Sequence, residues 1–183
     1  MYSGHNPSAL RSRDQIVKAM LSLLEKTPYD KISISKLAQQ AGVSRQTFYQ
    51  IFESQEQVLQ YKLDSIYEGY QEQLKQRKEY TMHVQVGLYF KIYAENMSFF
   101  NALLDNGQVN ILLQSSLRYM KILQQNHQLP NKKYTAYSYP FVAGGLLQVL
   151  IAWHQQKPKD QVSIEKLIQI SEQLLENNYF LEA

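Results

Sequence analysis

Between Ser33 and Phe52 the chain reads S-I-S-K-L-A-Q-Q-A-G-V-S-R-Q-T-F-Y-Q-I-F, and the single glycine in that run limits what it can build. Ile34, Leu37, Ala38 and Ala41 recur at the i, i+3, i+4, i+7 spacing of one helical face. Ser33 stands where a hydroxyl can accept from the unpaired amides of a first turn. Gly42 then ends the helix, because glycine enters the left-handed conformation with no side-chain clash. Ser44 offers a second cap, and Thr47, Phe48, Ile51 and Phe52 continue as a second helix. Ala38 is small enough to let two helices cross closely, and Val43 plugs the turn.

A glycine turn is common to any α-hairpin. Here the outward face of the second helix carries Arg45, Gln46, Thr47, Tyr49 and Gln50, hydrogen-bonding residues rather than the Glu/Lys mixture of a solvated face. Helix, glycine turn and capped helix with such a face is the arrangement of a DNA-reading helix-turn-helix.

The other 163 residues have to support that head, and composition bounds how. At 44% apolar, the 183-residue chain is globular and long enough for one large domain or a small one fused to a larger one. It has no cysteine, which removes disulfides, thiolate metal sites and a cysteine nucleophile, and fits a reducing cytoplasm. The first nine residues have no secretory-signal character, and the apolar run from Pro140 to Trp153 is shorter than the roughly 18 residues that span a bilayer. Nineteen Lys and Arg against sixteen Asp and Glu leave a net charge of +3, a weak bias towards polyanions. Affinity for DNA therefore has to come from placed residues. No phosphate loop, catalytic triad or paired-acid motif is present, so no enzyme and no cofactor is expected, and the four histidines (His5, His83, His127, His154) lack metal-ligand spacing.

Glycine and proline are scarce and no stretch alternates as a strand, so the chain reads as all-α. Residues 1–10 read as a loose arm, 11–60 as the helix-turn-helix domain and 61–183 as a larger helical domain. The first helix is expected from Arg11 to about Glu25 on the stripe Ile16, Val17, Met20, Leu21, Leu23 and Leu24. Ser54 to Gln57 forms a capping box that opens a long helix to about Lys78, with no flexible linker before it. Further helices are expected near 82–95, 97–105 (capped by Asn96), 108–126, 133–156 and 164–179 (capped by Ser163), with Pro140 either starting or kinking the fourth of these.

From Phe141 to Trp153 only Gln148 is strongly polar, so that helix is apolar nearly all round and buried on more than one side. Either it is a central core helix of one chain or its second side meets another subunit. The second is the expectation, with Gly144, Gly145, Gln148 and Ala152 at the close approach and Ile164, Leu167, Ile168, Leu174 and Leu175 as the companion stripe.

Residues 11 to about 60 resemble the DNA-binding domain of the TetR/AcrR family of bacterial transcriptional regulators. The resemblance is carried by Ile16, Ile34, Leu37-Ala38, Ala41-Gly42-Val43-Ser44, Thr47-Phe48-Tyr49, Phe52, Ser54, Glu56 and Leu59. Ala143 to Leu147, followed by Trp153, is similar more loosely to the branch that includes the regulator of dihydroxyacetone utilisation. The resemblance implies a helical homodimer on a pseudo-palindromic DNA operator, held together and controlled by its C-terminal domain. It places Ser44, Arg45, Gln46, Thr47 and Tyr49 on DNA. Arg45 suits guanine O6 and N7, Gln46 suits adenine, and Ser33 and Ser35 can meet phosphates at the first helix. Gln50, Ile51 and Gln55 stand where the family often has Arg, His or Tyr, and Lys, which implies fewer phosphate anchors and a shallow salt dependence.

Two controls are open at this point. A small-molecule effector of a repressor would be oriented by Tyr89, Tyr93, Phe100, Tyr119, Tyr137 and His154 in an apolar pocket, or the same aromatics are ordinary core. Alternatively the chain is a regulator of the activator kind, whose C-terminal domain binds a protein co-regulator through an exposed apolar patch.

Overall fold

The computed structural model describes residues 6–75, 81–126 and 135–176. Among them nine α-helices and one 3-10 turn (Tyr29–Lys31) follow in order, with no strand. They are α1 (Pro7–Leu24), α2 (Ile34–Gln40), α3 (Arg45–Ile51), α4 (Gln55–Lys75), α5 (Met82–Glu95), α6 (Met97–Asp105), α7 (Val109–Gln125), α8 (Thr135–His154) and α9 (Ile164–Glu176).

The helix ends follow from local chemistry. The first helix starts at Pro7, not at Arg11. Asn6 Oδ1 accepts from the Ser8 amide at 3.0 Å, and proline is preset for the first helical position, so four residues of the expected arm are helix. Ser54 accepts from the Gln57 amide at 3.2 Å while the Gln57 side chain takes the Glu53 amide at 2.8 Å, which displaces the return bond of the capping box by one residue. Asn96 does not cap α6 with its side chain; its Nδ2 donates to the Ile92 carbonyl at 3.0 Å and so closes α5. Ser163 caps α9 through the Lys166 amide at 3.2 Å. Pro140 lies inside α8. The expected arm residues 1–5, the end of α4 near Lys78, the break at Leu129-Pro130-Asn131, the start of α8 at 133, the end of α9 near 179, and His5 and His127 lie outside the described residues.

In the head α1 packs on α2 and α3, and on α4 behind them. Ile16, Met20, Leu37, Phe48 and Phe52 are buried completely. The Arg13 guanidinium lies 4.8 Å from the Tyr61 ring centroid, which ties α1 to the long helix. In the body α4 packs against α7, α5 against α9, and α7 against α8. One connected cluster of buried side chains runs from Ile16 in the head to Leu167 in α9, so α4 is a shared rod rather than a linker.

Two direct links reinforce that rod. The Asn106 side chain, in the turn between α6 and α7, accepts from the Tyr29 amide at 2.7 Å and donates to the Ala102 carbonyl at 2.8 Å. Gly107 beside it has φ of 69°, a value that favours glycine. The second link is Gln55, whose Nε2 donates to the Ile32 carbonyl.

The helix α8 corrects one expectation. Because it starts at Thr135, the window Ala136–His154 is long and apolar enough to cross a membrane by length and composition, with a mean hydropathy of 1.2. Its inner side belongs to the body through Ala143, Leu146, Leu147 and Leu150.

Candidate nucleic-acid interface and effector cavity

The sharp corner of the head is built by backbone chemistry. Gly42, at φ of 67°, lets its own amide reach the Gln39 carbonyl (3.1 Å) and the Val43 amide reach the Ala38 carbonyl (3.0 Å). These are the paired bonds of a Schellman stop, which satisfies the last carbonyls of α2. Ser44 then accepts from the Thr47 amide at 3.0 Å, and its hydroxyl pairs with that of Thr47 at 2.8 Å. Phe48 points inward, fully buried, and leaves Arg45, Gln46, Tyr49 and Gln50 on the outer face.

The seven residues expected to meet DNA thus divide by role. Ser33 caps α2 through the Lys36 amide at 3.1 Å and stays exposed, as does Ser35. Ser44 and Thr47 are tied to each other. Arg45 and Gln46 are exposed and Tyr49 is half-exposed, with its ring edge-on to Phe48 at 5.7 Å. Of the three departures from the family pattern, Ile51 is core at 2% exposure, Gln50 is exposed, and Gln55 is occupied by the Ile32 carbonyl.

In the body, α4, α5, α7 and α8 line a cavity of about 60 Å³. Its lining includes Tyr67, Tyr89, Ser116, Tyr119, Met120 and Leu146, and no lining residue is charged. Tyr67 and Tyr119 stack with centroids 4.7 Å apart and planes at 17°. The Tyr67 hydroxyl pairs with Ser116 Oγ at 3.1 Å, whereas the buried Tyr119 hydroxyl has no hydrogen-bond partner among the described residues. Burial pushes the Tyr67 phenol up to about 12 and holds those of Tyr89 and Tyr119 well above their ordinary value near 10.

The raised phenols set a pH limit. Below pH 10 folded and unfolded chains are both protonated at Tyr67; as pH rises from 10 towards 12, the unfolded chain releases its proton first. Stability present below pH 10 is therefore lost across that window, at about 1.4 kcal/mol per pH unit for one such group. Urea titrations at pH 9, 10 and 11 should show the fall, and Tyr67→Phe should flatten part of it.

Of the six residues expected around an effector, Tyr89 and Tyr119 line this cavity and the other four do not. Tyr93 donates to Asn101 Oδ1 at 2.5 Å and packs edge-on to Phe100 and Trp153, so that cluster closes the junction of α5, α6 and α8. His154 Nε2 pairs with Asp105 Oδ1 at 2.8 Å. Tyr137 is 77% exposed at the start of α8. Tyr67 and Ser116 were absent from the expected set. Tyr67 reads in sequence as one of a stripe of core positions, and Ser116 becomes significant only once α7 is laid against α4.

The expected dimer residues also divide. Gly145, Gln148 and Ala152 lie on the exposed side of α8, in line with Tyr137 and Phe141, while Gly144 is half-buried. A Cβ added at Gly145 would meet open space. On α9, Leu167 is buried at 3%, and Ile164, Ile168 and Leu175 pack partly against the chain's own core, leaving Leu174 half-buried outside that contact. A face turned towards α5 cannot also be an outer surface, so Leu167 belongs to the body of its own chain.

Residues 16–61 match the family model described as bacterial regulatory proteins, tetR family. No curated protein sequence matches the chain. Among solved structures, Lin0861 from Listeria innocua has a TM-score of 0.79 at 18% identity, covering 100% of this chain and 97% of that one. A TetR transcriptional regulator from Streptococcus agalactiae 2603V has a TM-score of 0.65 at 19% identity, with 93% and 96% covered. FadR from Thermus thermophilus, a TetR-family transcriptional repressor solved in complex with lauroyl-CoA, has a TM-score of 0.55 at 17% identity, with 89% and 92% covered. These likenesses extend the shared fold from the head to the whole chain.

Proposed function

We propose that this chain, whose residues 16–61 match the model of the tetR family of bacterial regulatory proteins, is a DNA-binding transcriptional regulator of that family and a repressor. It binds a pseudo-palindromic operator as a cytoplasmic homodimer and releases it when a small molecule enters the cavity of the body. The observation that carries this reading is the outer face of α3, where Arg45, Gln46 and Tyr49 stand exposed on a helix whose first turn is capped by Ser44. In a major groove Arg45 would fork onto guanine O6 and N7 and Gln46 onto adenine N6 and N7. The amides at the starts of α2 and α3, with Ser33, Ser35, Ser44, Thr47 and Tyr49, would hold phosphates and set the register.

Two heads linked through α8 would address half-sites about 34 Å apart, or a multiple of that spacing. The exposed stripe from Tyr137 through Phe141, Gly145 and Gln148 to Ala152 supports a two-fold contact at this helix. A protein co-regulator is the weaker alternative, because the large exposed apolar side chains of the body's longest apolar helix fall on that same stripe. A small-molecule effector is supported by the cavity between α4, α5, α7 and α8 and by the Thermus thermophilus repressor solved with lauroyl-CoA.

Arg45→Ala is expected to weaken binding to the promoter of the protein's own operon by ten-fold or more, about 1–3 kcal/mol for one lost bidentate base contact. Gel shifts should show the loss while sedimentation shows an unchanged oligomer. An Arg45→Ala protein with normal shifts would remove α3 as the reading helix.

A further inference from the structure

We propose that the cavity between α4, α5, α7 and α8 takes a slim, uncharged molecule, apolar along its length with one hydroxyl or carbonyl group, and that Tyr119 is its hydrogen-bond partner. The inference deepens the effector reading above and rests on it.

The chemistry of the wall carries it. A buried hydroxyl without a partner is costly, and native structures rarely keep one. Tyr119 is 8% exposed and its hydroxyl is unpartnered among the described residues, while the neighbouring Tyr67 and Ser116 hydroxyls share one hydrogen bond with each other. The Tyr119 hydroxyl is therefore left unmatched in a mostly apolar lining, whose other polar side chains are Tyr67, Tyr89, Ser116 and Gln85. A lone water would need two to four polar partners to be held there. A ligand with a single acceptor or hydroxyl needs only one, and its hydrocarbon part is matched by Met120, Leu123 and Leu146.

Charge is kept outside. Beyond the Tyr67–Tyr119 stack lies a second hollow of about 160 Å³ that those two rings share with Asp64, Glu68 and Arg118. There Arg118 is already bonded to Asp64 at 2.9 Å and to Ser115 Oγ at 3.1 Å. An ion in the inner cavity would give up its water with no counter-charge in the lining, a penalty larger than any one hydrogen bond returns. An ion spanning both hollows would have to part the stacked rings.

Size narrows the class further. At about 60 Å³ the cavity is smaller than the roughly 150 Å³ hole that accepts benzene, so a six-carbon chain enters only as the lining re-packs around it. Met120 is the lining side chain best able to re-pack around a longer one.

The test compares 1-hexanol, hexanoate and hexylammonium on the full chain by ligand-observed NMR titration. Hexanol should bind at least ten-fold more tightly than either ion. Tyr119→Phe should weaken hexanol about five-fold and leave 1-chlorohexane, which makes no comparable hydrogen bond, unchanged. Met120→Trp, which fills the cavity, should abolish binding of both and serves if the first variant does not fold. An ion binding as tightly as hexanol, no binding of hexanol, or hexanol affinity unchanged in both variants would each overturn the proposal. Gel shifts with the same compounds separate it from the effector reading. Hexanol that binds without releasing DNA ends the effector reading and keeps the ligand class. Release by hexanoate alone keeps the effector reading and ends the class.

Discussion

Phe141→Asp together with Gly145→Glu is expected to convert the protein into a monomer of 21.4 kDa and to cost it at least a hundredfold in operator affinity. The reasoning starts from exposure. Phe141 is 72% exposed and Gly145 is open on the same side of α8, so neither change disturbs the interior of a single chain. In a two-fold contact every introduced charge faces its own copy or a neighbour of it, and the like charges are desolvated together. Once the subunits part, the second half-site is no longer delivered at the high effective concentration set by the first, which is where most of the affinity of a paired reader resides. Sedimentation velocity reads the mass and fluorescence anisotropy reads the operator. A double variant that stays dimeric would remove α8 from the interface; a monomer that binds DNA as before would separate dimerisation from reading.

Phe48→Ala is expected to unfold the head and leave the body standing. Phe48 is completely buried, its ring 6.1 Å from Phe52, and removing a phenyl ring from such a site costs about 3–5 kcal/mol in lost transfer energy and residual cavity. That is a large share of the 5–15 kcal/mol that keeps a typical domain folded. The body has its own reporter. Trp153, the chain's single tryptophan, packs against Tyr93 at 5.7 Å and donates to the Val162 carbonyl at 2.8 Å, both of them residues of the body. In urea the far-UV circular dichroism of the variant should lose helix before the tryptophan emission moves, whereas the parent should show closer transitions. Coincident transitions at an unchanged midpoint would mean that Phe48 does not anchor the head.

The head was legible in the sequence because its determinants are local. A cap, a glycine and a cap lie within twelve residues, and each acts on backbone atoms two to five positions away. The apolar periodicity of α1 and α4 was equally legible, since a stripe at helical spacing has one way to be buried. Pro7 shows the limit of the same local reasoning: Asn6 and Pro7 are a cap and a first position, but with polar residues around them no apolar stripe marks the helix they open. Asn96 shows another, for a residue between two helices can serve either one, and its amide closed α5.

The body was legible as helices but not as a site. Aromatic content cannot say which rings line a void, because that depends on which faces of four helices meet. Tyr93 and Phe100 fill a junction, Tyr137 stands in solvent, and Tyr119 borders the cavity, although all four read alike in sequence. The partner of Tyr119 in the stack, Tyr67, comes from α4, with α5 and α6 between them in the chain, and reads in sequence as one more core position. Leu167 was hidden in the opposite sense: its place in an apolar stripe does not say whether the stripe meets its own chain or another.

One side chain remains whose geometry bears on how the two ends of the molecule communicate. Asn106 commits both ends of its amide to backbone, one to Tyr29 in the head and one to Ala102 in the body. An amide held at both ends has little rotameric play, so it does not stretch by degrees. Rotation of the turn before α7 keeps both bonds or forfeits one of them. The Asn106 side chain therefore braces the head against the turn before α7, and a change in the angle of the head has to carry this amide along or give up one of its two bonds.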